Sequence, residues 1–201
     1  MLTLYDYLDS GNGYKVRLLL SWLQTPFDLV EVDIFHGGSQ TPEFLALSPN
    51  GKIPVLDLGG GDCLWESGAI LYYLAEGTAY LPDDRRQRAE VLKWMFFEQY
   101  SHEPNVAVLR SWRRHGRMTE ERERQWAGKE AEGYRALDVM EGHLAAHPFF
   151  VGETPTIADI ALFAYTHVAG DGGFDLSRYP AIGRWIEAIR AEPHFRAMDS
   201  R

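Results

Sequence analysis

Gly51-Lys52-Ile53-Pro54-Val55-Leu56, with Glu66-Ser67-Gly68 ten residues further on at the mouth of an apolar helical pattern, is the stretch from which the rest of the chain is read. A proline entering a run of strand-forming residues has no N–H for the ladder, so it belongs at a strand start, an edge or a cis turn. A cis Ile53–Pro54 bond would leave the Ile53 backbone free to pair with something other than a strand. Glu66 and Ser67 offer a carboxylate and a hydroxyl where the N–H groups of a helix begin to point outward, a natural receptor for a small zwitterion. Together these residues predict a site for a short peptide.

Upstream, Leu2 to Tyr7 alternates as a strand and stops at the turn formers Leu8-Asp9-Ser10-Gly11-Asn12-Gly13. A helix follows, with Val16, Leu19, Leu20 and Leu23 at helical spacing, and Pro26 closes it. Phe27 to Ile34 reads as a second strand, which makes the whole a right-handed parallel βαβ unit. Thr41-Pro42-Glu43 looks like a cap with proline at the first helical position, and Ser48-Pro49-Asn50-Gly51 turns the chain. Val55 to Leu58 and Cys63 to Trp65 flank Gly59-Gly60-Gly61-Asp62 as a hairpin, and a third helix runs from Ser67 to Ala75. The expected order is βαβ-α-ββ-α. Past Gly77 strand signals vanish, and Tyr80 to Asp84 reads as a linker. Helices are predicted from Arg85 to about His115, from Thr119 to about Ala146 with Glu141 as a polar interruption, after the capping box Thr156-Ile157-Ala158-Asp159, and from Pro180 to Arg190. The fold class is therefore α/β followed by all-α, in domains 1–78 and 87–201.

Lys plus Arg numbers 20 against 29 Asp plus Glu, a formal charge of −9, which argues against a general polyanion binder such as a nucleic-acid protein. The single cysteine, Cys63, allows no intrachain disulfide and no Cys-x-x-Cys motif. That suits a reducing cytoplasm. No apolar run approaches the ~18 residues a membrane helix needs, and no signal-peptide pattern opens the chain, so a cytoplasmic protein with no membrane partner is expected.

A strand, a short turn and a helix N-terminus bring a side chain together with backbone N–H groups and the positive end of a helix dipole. Ser10 stands at that junction. Its hydroxyl is too weak an acid to ionise usefully, but it can donate a hydrogen bond to a thiolate that a ligand supplies, and bond and dipole together lower the thiol pKa. Asn12 offers a second donor. The nucleophile is then the ligand's sulfur, while the protein activates and positions it.

At this point Tyr5-x-Tyr7-x-x-Ser10-x-x-x-Tyr14-Lys15-Val16-Arg17, Pro49-x-Gly51-Lys52-Ile53-Pro54-Val55-Leu56, Glu66-Ser67 and Thr156-x-x-Asp159 resemble a cytosolic glutathione S-transferase of the serine-type, theta- or zeta-like branch, in order along essentially the whole chain. The resemblance implies a thioredoxin-like first domain that binds glutathione, an all-helical second domain that lines the electrophile site, and a homodimer. It implies that Ser10 activates the thiol with Asn12 beside it, that Pro54 is the cis-proline, and that the Ile53 main chain pairs with the cysteinyl backbone of glutathione. Glu66 and Ser67 would hold the γ-glutamyl end, Lys52 and His36 the glycyl carboxylate, and Tyr100 and Asn105 would face the electrophile. Glutathione is the expected co-substrate, with no metal. The expected reaction is attack of glutathione thiolate on a small hydrophobic electrophile; a glutathione-dependent isomerase or dehalogenase, or a non-catalytic binding protein, are the alternatives.

Other features have plainer readings. Gly11-x-Gly13-x-x-Val16 with Glu31 and Asp33 downstream half matches a dinucleotide fingerprint, but Val16 stands where the third small residue belongs and a hairpin follows instead of a second βαβ unit. His143 and His147 are spaced for a shared metal on a helix, yet lie near its end, where capping and solvation explain them. Arg110, Arg113, Arg114 and Arg117 read as a solvated helix face, Trp94, Phe96, Phe97 and Tyr100 as core aromatics, and Cys63 as a small buried strand residue. Because Ser10 cannot form a mixed disulfide and the only thiol, Cys63, is expected in the hairpin away from that helix N-terminus, negligible glutathione-dependent disulfide reductase activity is expected.

Overall fold

The computed structural model describes residues 1–200, which fall into two compact units: Met1–Gly77 together with the C-terminal segment that begins at Pro193, and Thr78–Glu192. The first unit is built on a mixed four-stranded sheet in the order β2-β1-β3-β4, from β1 (Leu2–Asp6), β2 (Phe27–Glu31), β3 (Val55–Asp57) and β4 (Cys63–Trp65). β1 pairs in parallel with β2, antiparallel with β3, and β3 antiparallel with β4. The helices of this unit are α1 (Gly11–Trp22), α2 (Pro42–Leu47) and α3 (Ser67–Ala75).

Strand alternation divides the core. Leu4, Val16, Leu20, Leu56 and Ile70 join one sheet face to α1 and α3, while Val32, Phe44 and Val55 form the other cluster with α2. α1 is buried almost all round, Lys15 and Arg17 included. Arg17 spends its charge locally: Nε meets Asp6 Oδ2 at 2.9 Å, and its two terminal nitrogens donate to Met198 O (2.7 Å) and Leu8 O (2.6 Å). With Tyr14 Oη donating to Arg196 O (2.6 Å) and Ser21 Oγ to His194 O (2.8 Å), α1 stitches the C-terminal segment to the first unit. This corrects the division expected from sequence. The residues after Glu192 carry no strand or helix signal of their own, so only these long-range bonds assign them to the first unit.

The second unit is helical: α4 (Arg85–Phe97), α5 (Glu103–Arg114), α6 (Glu120–Leu144), α7 (Ile157–Thr166) and α8 (Pro180–Arg190). The single helix expected from Arg85 to His115 is interrupted by a π-helical segment, Glu98–His102. Pro104 supplies the reason, because a proline has no N–H for a carbonyl one turn back and crowds it, which forces the preceding turn to widen. α7 has every residue buried, and its capping box is made: Asp159 Oδ2 accepts from Thr156 N at 2.8 Å, and Thr156 Oγ1 accepts from Ala158 N at 3.3 Å. Glu141, an interruption in sequence terms, caps a neighbour. Its carboxylate accepts from Ala181 N and Ile182 N, both at 2.9 Å, at the N-terminus of α8, where Tyr179 gives no side-chain cap.

Three plain readings need correction. Arg110 is not on a solvated face; it is 4% exposed and paired with Asp171 at 3.3 Å. Phe96 and Tyr100 are not core aromatics; they are 68% and 88% exposed, Phe96 on the side of α4 away from Val91, Trp94 and Met95. Cys63 is half-buried on the edge strand, its thiol pushed up by burial and by Asp57 and Asp62. His143 and His147 stack at 4.3 Å and each meets a backbone carbonyl.

His167, at the end of α7, stacks on Phe163 at 4.4 Å, and burial holds its pKa down at about 4. A depressed histidine stabilises above its unfolded pKa of ~6.5 and loses that contribution as pH falls toward 4. The stability difference between wild type and His167→Gln is therefore expected to move against wild type by roughly 2 kcal/mol between pH 7 and pH 4.5. Urea unfolding of both proteins at the two pH values reads it; a difference that does not change with pH would contradict it.

Candidate functional site

Register fixes the site. Tyr5 pairs with Val55 and Val55 with Trp65, so the end of β1, the start of β3 and the end of β4 lie at one end of the sheet. β2, parallel to β1, ends there too, with Asp6 opposite Glu31. Ser10, Ile53–Pro54, Glu66–Ser67 and the loop with His36 thus all leave the sheet from the same end, although they are far apart in sequence.

Ser10 is the N-cap of α1, its Oγ accepting from Gly13 N at 3.4 Å. A hydroxyl that accepts at a cap still has its hydrogen to donate elsewhere. Gly13 cannot carry a side chain there, since a Cβ would fall 1.6 Å from Asp6 Oδ1. Asp6 is fully buried, which pushes its carboxyl up to about 6 despite Arg17. Asn12, half-buried in the first turn, accepts from Lys15 Nζ at 2.8 Å through Oδ1.

Ile53–Pro54 is cis, and the strand register stops at Val55, which leaves Ile53 outside the ladder. The loop is pinned from beneath: Ser48 Oγ donates to Lys52 O (3.1 Å) and Gln40 Nε2 to Gly51 O (3.0 Å). The Lys52 side chain is exposed. Glu66 holds φ +71°, a left-handed value rare for a non-glycine residue, and its exposed carboxylate accepts from Asn50 Nδ2 at 3.4 Å. Such outliers persist where the surroundings over-determine them, and they concentrate at ligand clamps. Ser67 follows as the buried first residue of α3. His36 is 84% exposed and its Nδ1 meets Asp33 Oδ2 at 2.7 Å. That bond, followed by bonds from the His36 and Phe35 backbones, holds the Asp33 carboxyl below its usual range.

Tyr100 and Asn105 belong to the second unit. Tyr100 projects from the π-helical segment, and Asn105 Nδ2 donates to Ser101 O at 2.8 Å. Sequence reasoning passed over Lys15, Ser48, Gln40 and Asn50. Lys15 alone left a signal, three residues after Asn12 on one helix face. Among the described residues no cluster of three metal-ligating side chains occurs, and no helix is long and apolar enough to cross a membrane.

A βαβ-ββα sheet, a cis-proline before its third strand and a capped helix after its first are the frame of the glutathione S-transferase N-terminal domain, whose family model matches residues 1–76; the C-terminal domain model matches residues 120–188. The chain belongs to the glutathione S-transferase family. It is 35% identical over 202 residues to the disulfide-bond oxidoreductase YfcG of Escherichia coli (strain K12), covering 96% of this chain and 92% of that protein. A glutathione S-transferase crystal structure from Pseudomonas fluorescens is 51% identical, with a TM-score of 0.96 over 98% of both chains. A second family member from that organism, with two glutathione molecules bound, is 30% identical, with a TM-score of 0.83 over 96% of this chain and 89% of its own.

Proposed function

We propose that this glutathione S-transferase family member binds glutathione at the sheet end just described and activates its thiolate for attack on a small hydrophobic electrophile. The observation that supports it most is the start of α1, where Ser10 caps the helix through Gly13 N and stands at the positive end of the dipole. Ser10 and Asn12 stabilise the sulfur. Ile53 supplies main-chain pairing beside Pro54, Glu66 and Ser67 receive the γ-glutamyl end, and Lys52 and His36 the glycyl carboxylate. Tyr100 and Asn105 face the electrophile. The protein works as a homodimer in the cytoplasm, in detoxification; sedimentation as a clean 22.9 kDa species at micromolar concentration would contradict the dimer.

A second reading has a specific observation behind it. One relative is named a disulfide-bond oxidoreductase, and one structural neighbour holds two glutathione molecules. The missing enzyme thiol is no obstacle if glutathione supplies both sulfurs. One thiolate attacks a substrate disulfide, giving a mixed disulfide and a released thiolate; a second attacks that mixed disulfide, giving oxidised glutathione and the other substrate thiolate. This reading departs from the sequence-based expectation of negligible glutathione-dependent disulfide reductase activity, which weighed only a thiol of the protein as the attacking group.

Parallel assays decide between them: glutathione conjugation to chlorodinitrobenzene, and glutathione-dependent reduction of hydroxyethyl disulfide, each with wild type and Cys63→Ser. The transferase reading expects conjugation to dominate. Dominant reduction that survives Cys63→Ser would establish the second reading instead. No activity in either assay, together with retention on immobilised glutathione, would leave the non-catalytic binding protein.

A further inference from the structure

Arg17 lies in α1 with 1% of its surface exposed, and its three nitrogens donate to three different stretches of chain. Nε meets Asp6 Oδ2 at the end of β1 (2.9 Å), one terminal nitrogen meets Leu8 O in the turn that follows (2.6 Å), and the other meets Met198 O in the C-terminal segment (2.7 Å). A guanidinium is planar and its donors are fixed relative to one another, so acceptors that engage it together are fixed relative to one another too. Stripped of water, it depends on them. Two of the three flank Ser10. Leu8 stands two residues before it, in a turn closed by Ser10 N donating to Tyr7 O at 2.7 Å. Asp6 packs so close against the first turn of α1 that a Cβ on Gly13 would fall 1.6 Å from Oδ1, and Gly13 N is the group that Ser10 Oγ caps. The third acceptor belongs to a segment with neither strand nor helix, seated by the bonds from Tyr14 and Ser21 to its carbonyls and by the Met198 side chain, which is 8% exposed.

We propose that the C-terminal segment, acting through Arg17, positions Ser10 for thiolate activation: Met198 O holds one arm of a clamp whose other two arms fix the residues on either side of the Ser10 cap. The proposal rests on the glutathione-thiolate reading above and goes beyond it by giving a task to Arg17 and to a segment that carry none there. Because the fork is rigid, an arm that loses its acceptor and turns elsewhere moves the other two, and with them Leu8 and Asp6. A hydroxyl's hydrogen bond weakens steeply with distance and angle, so a small shift of the turn costs activation without removing any group that binds the tripeptide. The consequence is specific: the effect of Arg17 and Met198 passes through Ser10 and disappears when the Ser10 hydroxyl is gone.

The test combines Arg17→Lys and Met198→Ser, each alone and with Ser10→Ala, read by the pKa of protein-bound glutathione from thiolate ultraviolet absorbance and by kcat and KM for glutathione in whichever assay above is active. Lysine keeps a cation beside the buried Asp6 but cannot span three acceptors, whereas serine at 198 removes the apolar side chain that seats the carbonyl. Arg17→Lys is expected to lower kcat about tenfold and raise the bound-thiol pKa, with KM for glutathione changed less than about threefold. Met198→Ser should show the same pattern at about threefold in kcat, and Met198→Leu, which keeps the apolar volume, should restore it. In the Ser10→Ala background both substitutions should change kcat less than about twofold. If Arg17→Lys does not fold, the Met198 variants carry the test. Losses that multiply with Ser10→Ala, a bound-thiol pKa unmoved by Arg17→Lys, or a Met198→Ser protein with unchanged kcat and unchanged bound-thiol pKa would each overturn the proposal. If Ser10→Ala moves nothing while bound glutathione retains a lowered pKa, the thiolate reading survives without Ser10 and this proposal fails. If wild type binds no glutathione, the reading itself fails and the proposal with it.

Discussion

Asp159→Ala is expected to remove about 3–5 kcal/mol of folding stability at neutral pH, the range seen when one side of a buried ionic hydrogen-bond network is deleted. Asp159 is fully buried and accepts four hydrogen bonds, from Phe150 N (3.0 Å), Thr156 N (2.8 Å), Thr156 Oγ1 (3.1 Å) and Trp185 Nε1 (3.0 Å). Alanine leaves these donors inside the helical unit without their acceptor. Burial outweighs all four bonds in setting the proton affinity, so the carboxyl is pushed up to about 6. A carboxyl raised above its unfolded value stabilises below ~4 and loses that contribution as pH rises through 6. The penalty of Asp159→Ala should therefore be larger in acid, by roughly 2 kcal/mol at pH 4 relative to pH 7. Urea unfolding of wild type and variant at both pH values checks size and sign. A loss under 1 kcal/mol at neutral pH would mean that the four bonds do not carry the link between α7, α8 and the Phe149–Phe150 segment.

Ser10→Ala is expected to lower kcat/KM between tenfold and a hundredfold while glutathione still binds. One donor to a developing anion is worth ~2.7 kcal/mol, or somewhat less where water partly replaces it. The same change removes the cap on Gly13 N and costs about 1 kcal/mol of stability. Ser10→Asp separates the two effects, because a carboxylate still caps α1 but repels a thiolate, so stability should return while activity falls further. Full activity in Ser10→Ala would move the role to Asn12 or to the backbone.

The strand–helix order of the first unit was legible because each boundary carries its own local chemistry. Ser10 and Thr41 cap, Pro26 and Pro54 stop or redirect, and the glycines at 59–61 turn the hairpin. Positive φ at all three glycines bears that out. At Ile53–Pro54 local chemistry left a strand start, an edge or a cis turn open, and the family resemblance implied the cis bond that the structure has. Pro104 is an equally local signal, but the apolar period continues on both sides of it and so reads as one unbroken helix. The rest could not be read locally. The C-terminal segment is held by carbonyls of Arg196, Met198 and His194, and a carbonyl leaves no trace in the sequence. Arg110 looks like any other member of an arginine cluster until Asp171, sixty-one residues away, comes against it. At the site, the groups proposed to touch a ligand come from recognisable motifs. The groups that hold those motifs, Ser48, Gln40 and Asn50, act through single backbone or carboxylate bonds that no spacing rule announces.

On the proposed function, the start of α1 stabilises a thiolate that the ligand, not the protein, brings. Titration of glutathione bound to wild-type protein, followed by thiolate ultraviolet absorbance, tests it most directly. The bound thiol is expected to titrate about one unit or more below free glutathione, as for thiols placed at helix N-termini beside hydrogen-bond donors. A saturated complex whose thiol titrates at the free value would contradict it.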